Sequence, residues 1–236
     1  MIDASVAARL RDNWQEVCDE VARAAMASGR RAEDVQVIGV SKYVDAETTG
    51  ALFAAGCHAL GESRPQQLWS KAEALALGDE VHWHLIGHLQ RNKIRRTLQW
   101  DPVVHSVDSK RLLESIAQEA ILQDRSVNVL LEVNISGDEA KTGFAPDQLE
   151  PVIANLPSCG VRVTGLMAMA GWGTDPDDAR HQFARTRQLR DQLAVATGCA
   201  LPELSMGMSG DFVAAIAEGA TMVRIGSRLF TGLESS

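Results

Sequence analysis

Short apolar runs alternate with amphipathic stretches along nearly the whole chain of 236 residues. The apolar runs resemble buried strands, and we place them near 35–41, 58–61, 82–87, 103–107, 127–135, 161–169, 203–207 and 222–226. The stretches between them carry helical periodicity and capping residues, which predicts helices over 46–55, 65–77, 109–123, 146–155, 177–196 and 210–218. Repeated strand–helix units require parallel strands with crossover helices. Eight such units most economically close into a (β/α)8 TIM barrel, and a doubly wound open sheet is the alternative.

A further helix is predicted before the first strand. Apolar residues recur at helical spacing from Ser5 to Ala27, and Gly29 follows as a stop signal. No proline- or serine-rich linker interrupts the later units, so we predict one α/β domain over residues 1–236.

Charge and composition narrow the class of partner. The formal net charge is −8, which disfavours a nucleic-acid backbone or an anionic membrane surface. The amino terminus lacks a basic stretch followed by an apolar one, and no window approaches the ~20 apolar residues that span a bilayer. The four cysteines form no CxxC pair, as is typical of reduced thiols. We therefore expect a cytoplasmic protein that binds a small molecule.

Lys42 ends the first apolar run, Val-Gln-Val-Ile-Gly-Val-Ser-Lys. A lysine at a strand end most often extends its ammonium group into water. An amine held in a buried site instead favours the neutral form, which can attack an aldehyde and form a Schiff base. Pyridoxal 5′-phosphate (PLP) offers one aldehyde and one phosphate, so a phosphate site elsewhere in the barrel would support this interpretation.

Two late turns have the composition of a phosphate site. The segment Leu-Ser-Met-Gly-Met-Ser-Gly-Asp leads from a strand into a helix, and we expect Ser209 to cap that helix and face an anion. The next strand ends in Gly226 and Ser227, where the missing Cβ lets backbone amides approach a phosphate. In TIM barrels the last two strand-to-helix turns often hold phosphate. Ordinary turn glycines are the alternative.

Arg224 lies on the face of the last strand that ends in Gly226, because residues two apart share a face. A guanidinium has only donors, so against a pyridine nitrogen it would donate a hydrogen bond and keep that nitrogen unprotonated. A salt bridge to Glu132 or Glu203 inside the barrel is the alternative.

Several segments match one family across nearly the whole chain. They are Gly39–Lys42, Gly61–Glu62, Trp83–Lys93, Asn134–Ser136, Lys141–Gly143, Gly165–Met167, Leu204–Ser209 and Met222–Ser227. With these segments the chain resembles the pyridoxal phosphate homeostasis protein family, whose fold is similar to the barrel domain of alanine racemase. The resemblance implies that Lys42 carries PLP as a Schiff base, that Arg224 meets the pyridine nitrogen, and that Ser209, Gly226 and Ser227 hold the phosphate. From the matched segments we add His84 and Met206 as expected cofactor contacts. One segment departs from the family pattern: Ser63-Arg64-Pro65 stands where an asparagine and an aromatic residue are usual.

Racemisation needs two acid/base groups on opposite faces of the bound amino acid. In alanine racemase a tyrosine of an additional domain supplies the second group. The one tyrosine here, Tyr43, follows Lys42 directly and should point away from the cofactor face. The sequence therefore favours a non-catalytic PLP carrier, with PLP-dependent apo-enzymes as candidate recipients and either a monomer or a weak homodimer as the state of association. A PLP-dependent amino-acid racemase with His84 as a substitute base is the first alternative. A Schiff-base or phosphate-binding enzyme of sugar metabolism is the second.

Two further groups of residues are candidates for a metal or cofactor contact. His82, His84 and His88 could place imidazoles on one side of a strand, but no cysteine or carboxylate cluster completes a metal site, so no metal is expected. Lys141 follows a strand and could lie near the cofactor, although a solvated loop lysine is the simpler interpretation.

Overall fold

The computed structural model describes residues 2–138, 142–156, 159–171 and 175–233. Eight parallel strands pair in chain order, and β1 pairs with β8, so the sheet closes into a barrel. The strands are β1 (Gln36–Val40), β2 (Ala59–Glu62), β3 (His82–Leu85), β4 (Val103–Val107), β5 (Val127–Glu132), β6 (Val161–Met167), β7 (Glu203–Met208) and β8 (Met222–Ile225). The predicted barrel is confirmed and the open-sheet alternative is wrong.

The helices surround this sheet. They are α1 (Ala4–Ala27), α2 (Ala46–Ala54), α3 (Pro65–Leu75), α4 (Ile94–Thr97), α5 (Lys110–Leu122), α6 (Pro146–Ala154), α7 (Pro176–Thr197) and α8 (Phe212–Ala217). The sequence prediction missed α4, because a single turn is too short to show helical periodicity. None of the described helices combines the length and the hydropathy that crossing a bilayer requires.

The helix α1 covers the seam between the first and last units. Its first turn is capped by Asp3, whose carboxylate accepts from the amide of Ser5 at 2.7 Å. It packs against α8, α2 and the 3-10 turn that follows β8. The side-chain amide of Asn13 donates to the carbonyl oxygens of Leu229 and Thr231, both at 3.0 Å. These two bonds attach the first helix to the end of the last unit.

The sheet separates two buried regions, one between the strands and the helices and one inside the barrel. One large apolar cluster joins outward-facing strand residues to the helices. A small second cluster of Ile38, Ala59 and Met222 lies inside the barrel. Residues two further along β8 share the inward face, so Arg224 follows Met222 into the barrel. Its burial there requires polar partners from neighbouring strands.

Candidate functional site

Lys42 lies just past the end of β1, in a turn at the carboxyl end of the barrel. Its side chain is half-buried, so the fully buried amine that the sequence suggested is not what the structure shows. Its Nζ lies 4.8 Å from the ring centroid of Tyr43, and that ring is 88% exposed. The ring of Tyr43 therefore lies in solvent and contacts the lysine ammonium, and its orientation away from the cofactor face stays a prediction.

The two predicted phosphate turns meet beside this lysine. The amide of Gly226 donates to the hydroxyl of Ser209 at 3.2 Å, which joins the turns after β7 and β8. A Cβ on Gly226 would lie 3.3 Å from the carbonyl oxygen of Val40, two residues before Lys42. Ser227 then begins the 3-10 turn Ser227–Phe230, whose first amide has no partner within the turn. The barrel therefore brings Lys42 and both turns to one edge.

The predicted capping role of Ser209 is wrong. The helix α8 begins at Phe212, and its N-cap is Asp211. The carboxylate of Asp211 instead accepts from the amide of Met208 at 2.6 Å, which stabilises a tight turn before the helix. The hydroxyl of Ser209 is thereby left beside Gly226 instead of over the helix end.

Arg224 is buried inside the barrel below Gly226. Its Nη1 donates to the carbonyl oxygen of Ser205 at 2.7 Å and to the hydroxyl of the same residue at 2.6 Å, and its Nη2 donates to the carbonyl oxygen of Ala168 at 3.0 Å. Burial lowers its pKa to about 10, so the guanidinium is still charged at neutral pH. The described contacts use three of its five N–H donors. The other two donors have no hydrogen-bond partner among the described residues.

The alternative salt bridge for Arg224 does not form among the described residues. The carboxylate of Glu132 accepts from the hydroxyl of Thr142 at 2.7 Å, and that of Glu203 accepts from Thr221. Burial raises the pKa of Glu132, and its hydrogen bond with Thr142 acts in the opposite direction.

A row of buried polar groups continues from Arg224 across the barrel. Nδ1 of His105 lies 2.8 Å from the hydroxyl of Ser205, and Nε2 of His105 lies 2.9 Å from Nδ1 of His84. Burial lowers the pKa of His84 to about 3 and that of His105 well below its usual range, so both imidazoles are neutral. Nε2 of His84 is buried and has no partner among the described residues. His105 and Ser205 were not predicted as site residues, although each is a polar residue within an apolar strand run.

Met206 occupies a different position from the other predicted contacts. Its side chain is fully buried in the large apolar cluster that joins the sheet to the helices. The neighbouring Ser205 instead faces into the barrel toward Arg224. The side chain of Met206 therefore supports the strand from outside and does not join the polar groups of the interior.

A buried ion pair lies behind Lys42, on the outer side of the sheet. Nζ of Lys71 lies 2.5 Å from Oε1 of Glu62 and donates to the carbonyl oxygen of Ser41 at 2.7 Å. The hydroxyl of Ser41 donates to the same carboxylate oxygen at 2.7 Å. These bonds fix the backbone directly before Lys42. Sequence reasoning gave no sign of Lys71, because a lysine on a helix is usually solvated.

The segment that departs from the family pattern lines an open cleft of about 510 Å³. The lining of this cleft includes Ser63, Arg64 and Pro65 together with His88 and Lys93. Arg64 therefore contributes a positive charge to this cleft.

The three histidines of the considered metal site have different surroundings. His84 bonds to His105, whereas Nδ1 of His88 lies 3.1 Å from the carboxylate of Asp108. His82 is exposed at the start of β3. No three potential metal ligands gather within the described ranges. Lys141 lies outside the described residues.

Comparison with known proteins agrees with this geometry. The sequence profile of the alanine racemase N-terminal domain matches residues 8–234. A pyridoxal phosphate homeostasis protein of Aquifex aeolicus is 39% identical over 220 residues, which cover 93% of this chain and 96% of that protein. A protein of the same name from Pseudomonas aeruginosa is 36% identical, with 94% of each chain covered. The chain belongs to the pyridoxal phosphate homeostasis protein family.

Solved structures add the fold and one ligand within this family. PipY of Synechococcus elongatus, solved with PLP bound, is 35% identical and superposes with a TM-score of 0.77 over 84% of this chain and 92% of that one. Alanine racemase of Clostridium difficile is 16% identical, with a TM-score of 0.73 over 94% of this chain and 56% of the racemase. That second likeness shows the fold alone, which is the barrel domain that the family shares with alanine racemase.

Proposed function

We propose that this chain binds PLP as a Schiff base on Lys42 and acts in PLP homeostasis as a carrier without catalytic turnover. The observation that carries the proposal is the meeting of β1 and β8, which places Lys42 beside the Ser209–Gly226 contact. The cofactor has an aldehyde, a phosphate and a pyridine nitrogen, and this end of the barrel offers a group suited to each.

Each group suits its partner chemically. The half-buried amine of Lys42 is accessible to an aldehyde. Hydrogen-bond donors for a phosphate come from the hydroxyls of Ser209 and Ser227 and from the backbone around Gly226. Arg224 has two N–H donors beyond its described contacts, and one of them would donate to the pyridine nitrogen. The family relative PipY, solved with PLP bound, supports the same ligand.

The absence of turnover is proposed from the acid/base groups near Lys42. The ring of Tyr43 is 88% exposed, and a base in bulk water cannot hold a fixed position over a bound amino acid. Physiological output then comes from holding a reactive aldehyde and releasing it, with PLP-dependent apo-enzymes as the proposed recipients. The state of association stays a prediction, as does the organisation of residues 1–236 as a single domain.

Absorbance and chemical trapping test the binding step. Purified protein mixed with PLP should develop an imine band that shifts on borohydride reduction, and peptide mapping should place the reduced adduct on Lys42. Lys42→Ala should lose both signals, whereas Lys110→Ala, which removes an exposed amine, should keep them. An adduct spread over several lysines, or kept in Lys42→Ala, would show that the proposed site is wrong.

Two further assays separate a carrier from an enzyme. Exchange of the α-proton of free amino acids should be absent from loaded protein. Activity of a PLP-dependent apo-enzyme should be restored by loaded wild-type protein and not by Lys42→Ala. Exchange at ordinary enzymatic rates that disappears in Lys42→Ala would instead establish the racemase alternative.

A further inference from the structure

A row of hydrogen bonds joins buried polar side chains of β8, β7, β4 and β3. We argue that every bond in this row runs from donor to acceptor in the same sense. Its members are Arg224, Ser205, His105 and His84, and we call it the interior chain. Successive contacts measure 2.6, 2.8 and 2.9 Å. All four residues are at least 95% buried, with exposed fractions of 5%, 0%, 0% and 2%. Water therefore contributes little to the orientation of their protons.

The position of the hydroxyl proton of Ser205 determines which group donates in each bond of the interior chain. A guanidinium only donates, so the hydroxyl oxygen of Ser205 is the acceptor of its bond with Arg224. The hydroxyl proton then needs an acceptor of its own, and among the described residues Nδ1 of His105 is the one that lies within hydrogen-bond distance. The positive charge of Arg224 favours the same orientation, with the oxygen toward it and the proton away from it.

The tautomers of His105 and His84 follow from this orientation of the Ser205 hydroxyl. If Nδ1 of His105 accepts, its Nε2 carries the proton of the neutral ring and donates to Nδ1 of His84 at 2.9 Å. Nδ1 of His84 then accepts, so its proton lies on Nε2. The reverse direction would leave the hydroxyl proton of Ser205 without a partner in a buried site, and such protons are costly.

We propose that the interior chain holds His84 as a neutral imidazole with its proton fixed on Nε2, so that His84 is a hydrogen-bond donor and not a base. Ser205 and His105 are then positioning residues, because they act through Arg224 at one end and through His84 at the other. The unpartnered Nε2 of His84 presents an N–H group to an acceptor atom in the barrel. This inference rests on the proposed function only in saying that the acceptor belongs to the bound ligand.

This tautomer argues against the racemase alternative, in which His84 would act as the substitute base. A base must offer a lone pair to the substrate proton, and the lone pair of His84 lies on Nδ1 and is used by His105. The pKa of His84, which burial lowers to about 3, agrees with this, because a ring that is so hard to protonate is a poor base at neutral pH.

Nuclear magnetic resonance of cofactor-free protein tests the inference directly. Full-length protein labelled with ¹⁵N in histidine should show both His84 and His105 as neutral Nε2–H tautomers at neutral pH in long-range ¹H–¹⁵N spectra. A protonated ring, or an Nδ1–H tautomer at either position, would overturn the proposal. Because no cofactor is present, this result does not depend on whether Lys42 binds PLP.

Substitutions at Ser205 test whether its hydroxyl orients His105 or whether the side chain only fills space. Ser205→Ala should release His105 from its single tautomer, seen as averaged ring-nitrogen shifts, and Ser205→Thr should restore it by restoring the hydroxyl. Ser106→Ala is the matched control, because Ser106 is also buried and its hydroxyl bonds to the carbonyl oxygen of Gly87 outside the interior chain. Unchanged histidine spectra in Ser205→Ala would contradict the proposal. Should Ser205→Ala fail to fold, the wild-type tautomers still decide the question.

Discussion

Nζ of Lys71 lies 2.5 Å from Oε1 of Glu62, and both side chains are almost completely removed from solvent. The same ammonium group donates to the carbonyl oxygen of Ser41, the residue directly before Lys42. The pair therefore fixes the end of β1 from the helical side of the sheet, while the barrel interior lies on the other side. Its integrity should matter both to stability and to the position of Lys42.

Removing one member of this pair should be costly. Lys71→Met leaves the carboxylate of Glu62 buried without its counter-ion, and breaking such a pair typically costs ~3–5 kcal/mol of unfolding free energy. Urea denaturation of the two proteins measures the difference. Lys110→Met is the control, because the Lys110–Glu114 pair is exposed at 3.8 Å and should change stability by less than ~1 kcal/mol. A loss in Lys71→Met as small as that of the control would contradict the prediction.

The double variant Lys71→Met, Glu62→Leu should recover much of the loss. Replacing both charges with apolar groups removes the unpaired carboxylate, and such replacements are often nearly neutral. If the double variant were as unstable as Lys71→Met alone, packing and not charge would explain the effect.

Stability should fall below about pH 6.5 because of His84 and His105. Both have folded-state pKa values below the ordinary 6.5, so the unfolded chain binds more protons as the pH falls. The stabilising contribution is complete above the ordinary value and is lost toward the folded pKa, which is about 3 for His84. The charged and titratable groups that act on these rings are His82 and Arg224, together with the two rings themselves.

Each of these histidines should contribute a slope of up to ~1.4 kcal/mol per pH unit. Urea denaturation at pH 7.5, 6.5 and 5.5 measures the combined slope, and His84→Gln should remove roughly half of it. His181→Gln is the control, because His181 is exposed on α7. A pH profile that His84→Gln leaves unchanged would contradict the prediction.

Gly226 should be sensitive to an added methyl group, whereas Gly210 should not. A Cβ at Gly226 would lie 3.3 Å from the carbonyl oxygen of Val40, but one at Gly210 would meet nothing within 4 Å. Because the Gly226 turn is proposed to hold phosphate, we expect Gly226→Ala to raise the Kd for PLP about tenfold, or ~1.4 kcal/mol. Absorbance titration compares both variants with wild type. Equal effects of the two substitutions would exclude a special role for Gly226.

Asn13 should stabilise the join between α1 and the last unit. Asn13→Ala removes two bonds and leaves the carbonyl oxygens of Leu229 and Thr231 without this donor, which should cost ~1–3 kcal/mol. Chemical denaturation provides the measurement. Gln15→Ala on the same helix removes an exposed bond to Asp19 and should stay within ~0.5 kcal/mol of wild type. A similar effect of the two variants would show that the join contributes little.

The elements of the barrel were predictable because each strand and most helices have their own local pattern. Even the short β2 (Ala59–Glu62) is bounded by residues that mark turns. The helix α4 (Ile94–Thr97) was not predictable, since one turn provides no repeat of the apolar spacing. The capping role assigned to Ser209 was wrong because Asp211, two residues later, forms the turn that precedes α8.

The polar contacts were less predictable than the strands that carry them. Arg224 was recognised as inward-facing from the alternation along its strand. Its partner Ser205 is nineteen residues earlier in the chain, and His105 is one hundred residues before Ser205, so only the register of the closed barrel reveals them. Lys71 was missed for a related reason, because whether a helical lysine is buried depends on the sheet beneath it.

Pairing between β1 and β8 closes the ring at the place where Gly226 lies against Val40, two residues before Lys42. A ligand bonded to both strands would penalise any fluctuation that opens the ring at this junction. The backbone amides along the junction should then exchange more slowly with deuterated solvent when the ligand is bound than those between β3 and β4. Hydrogen exchange at the β1–β8 junction would therefore report whether the site is occupied.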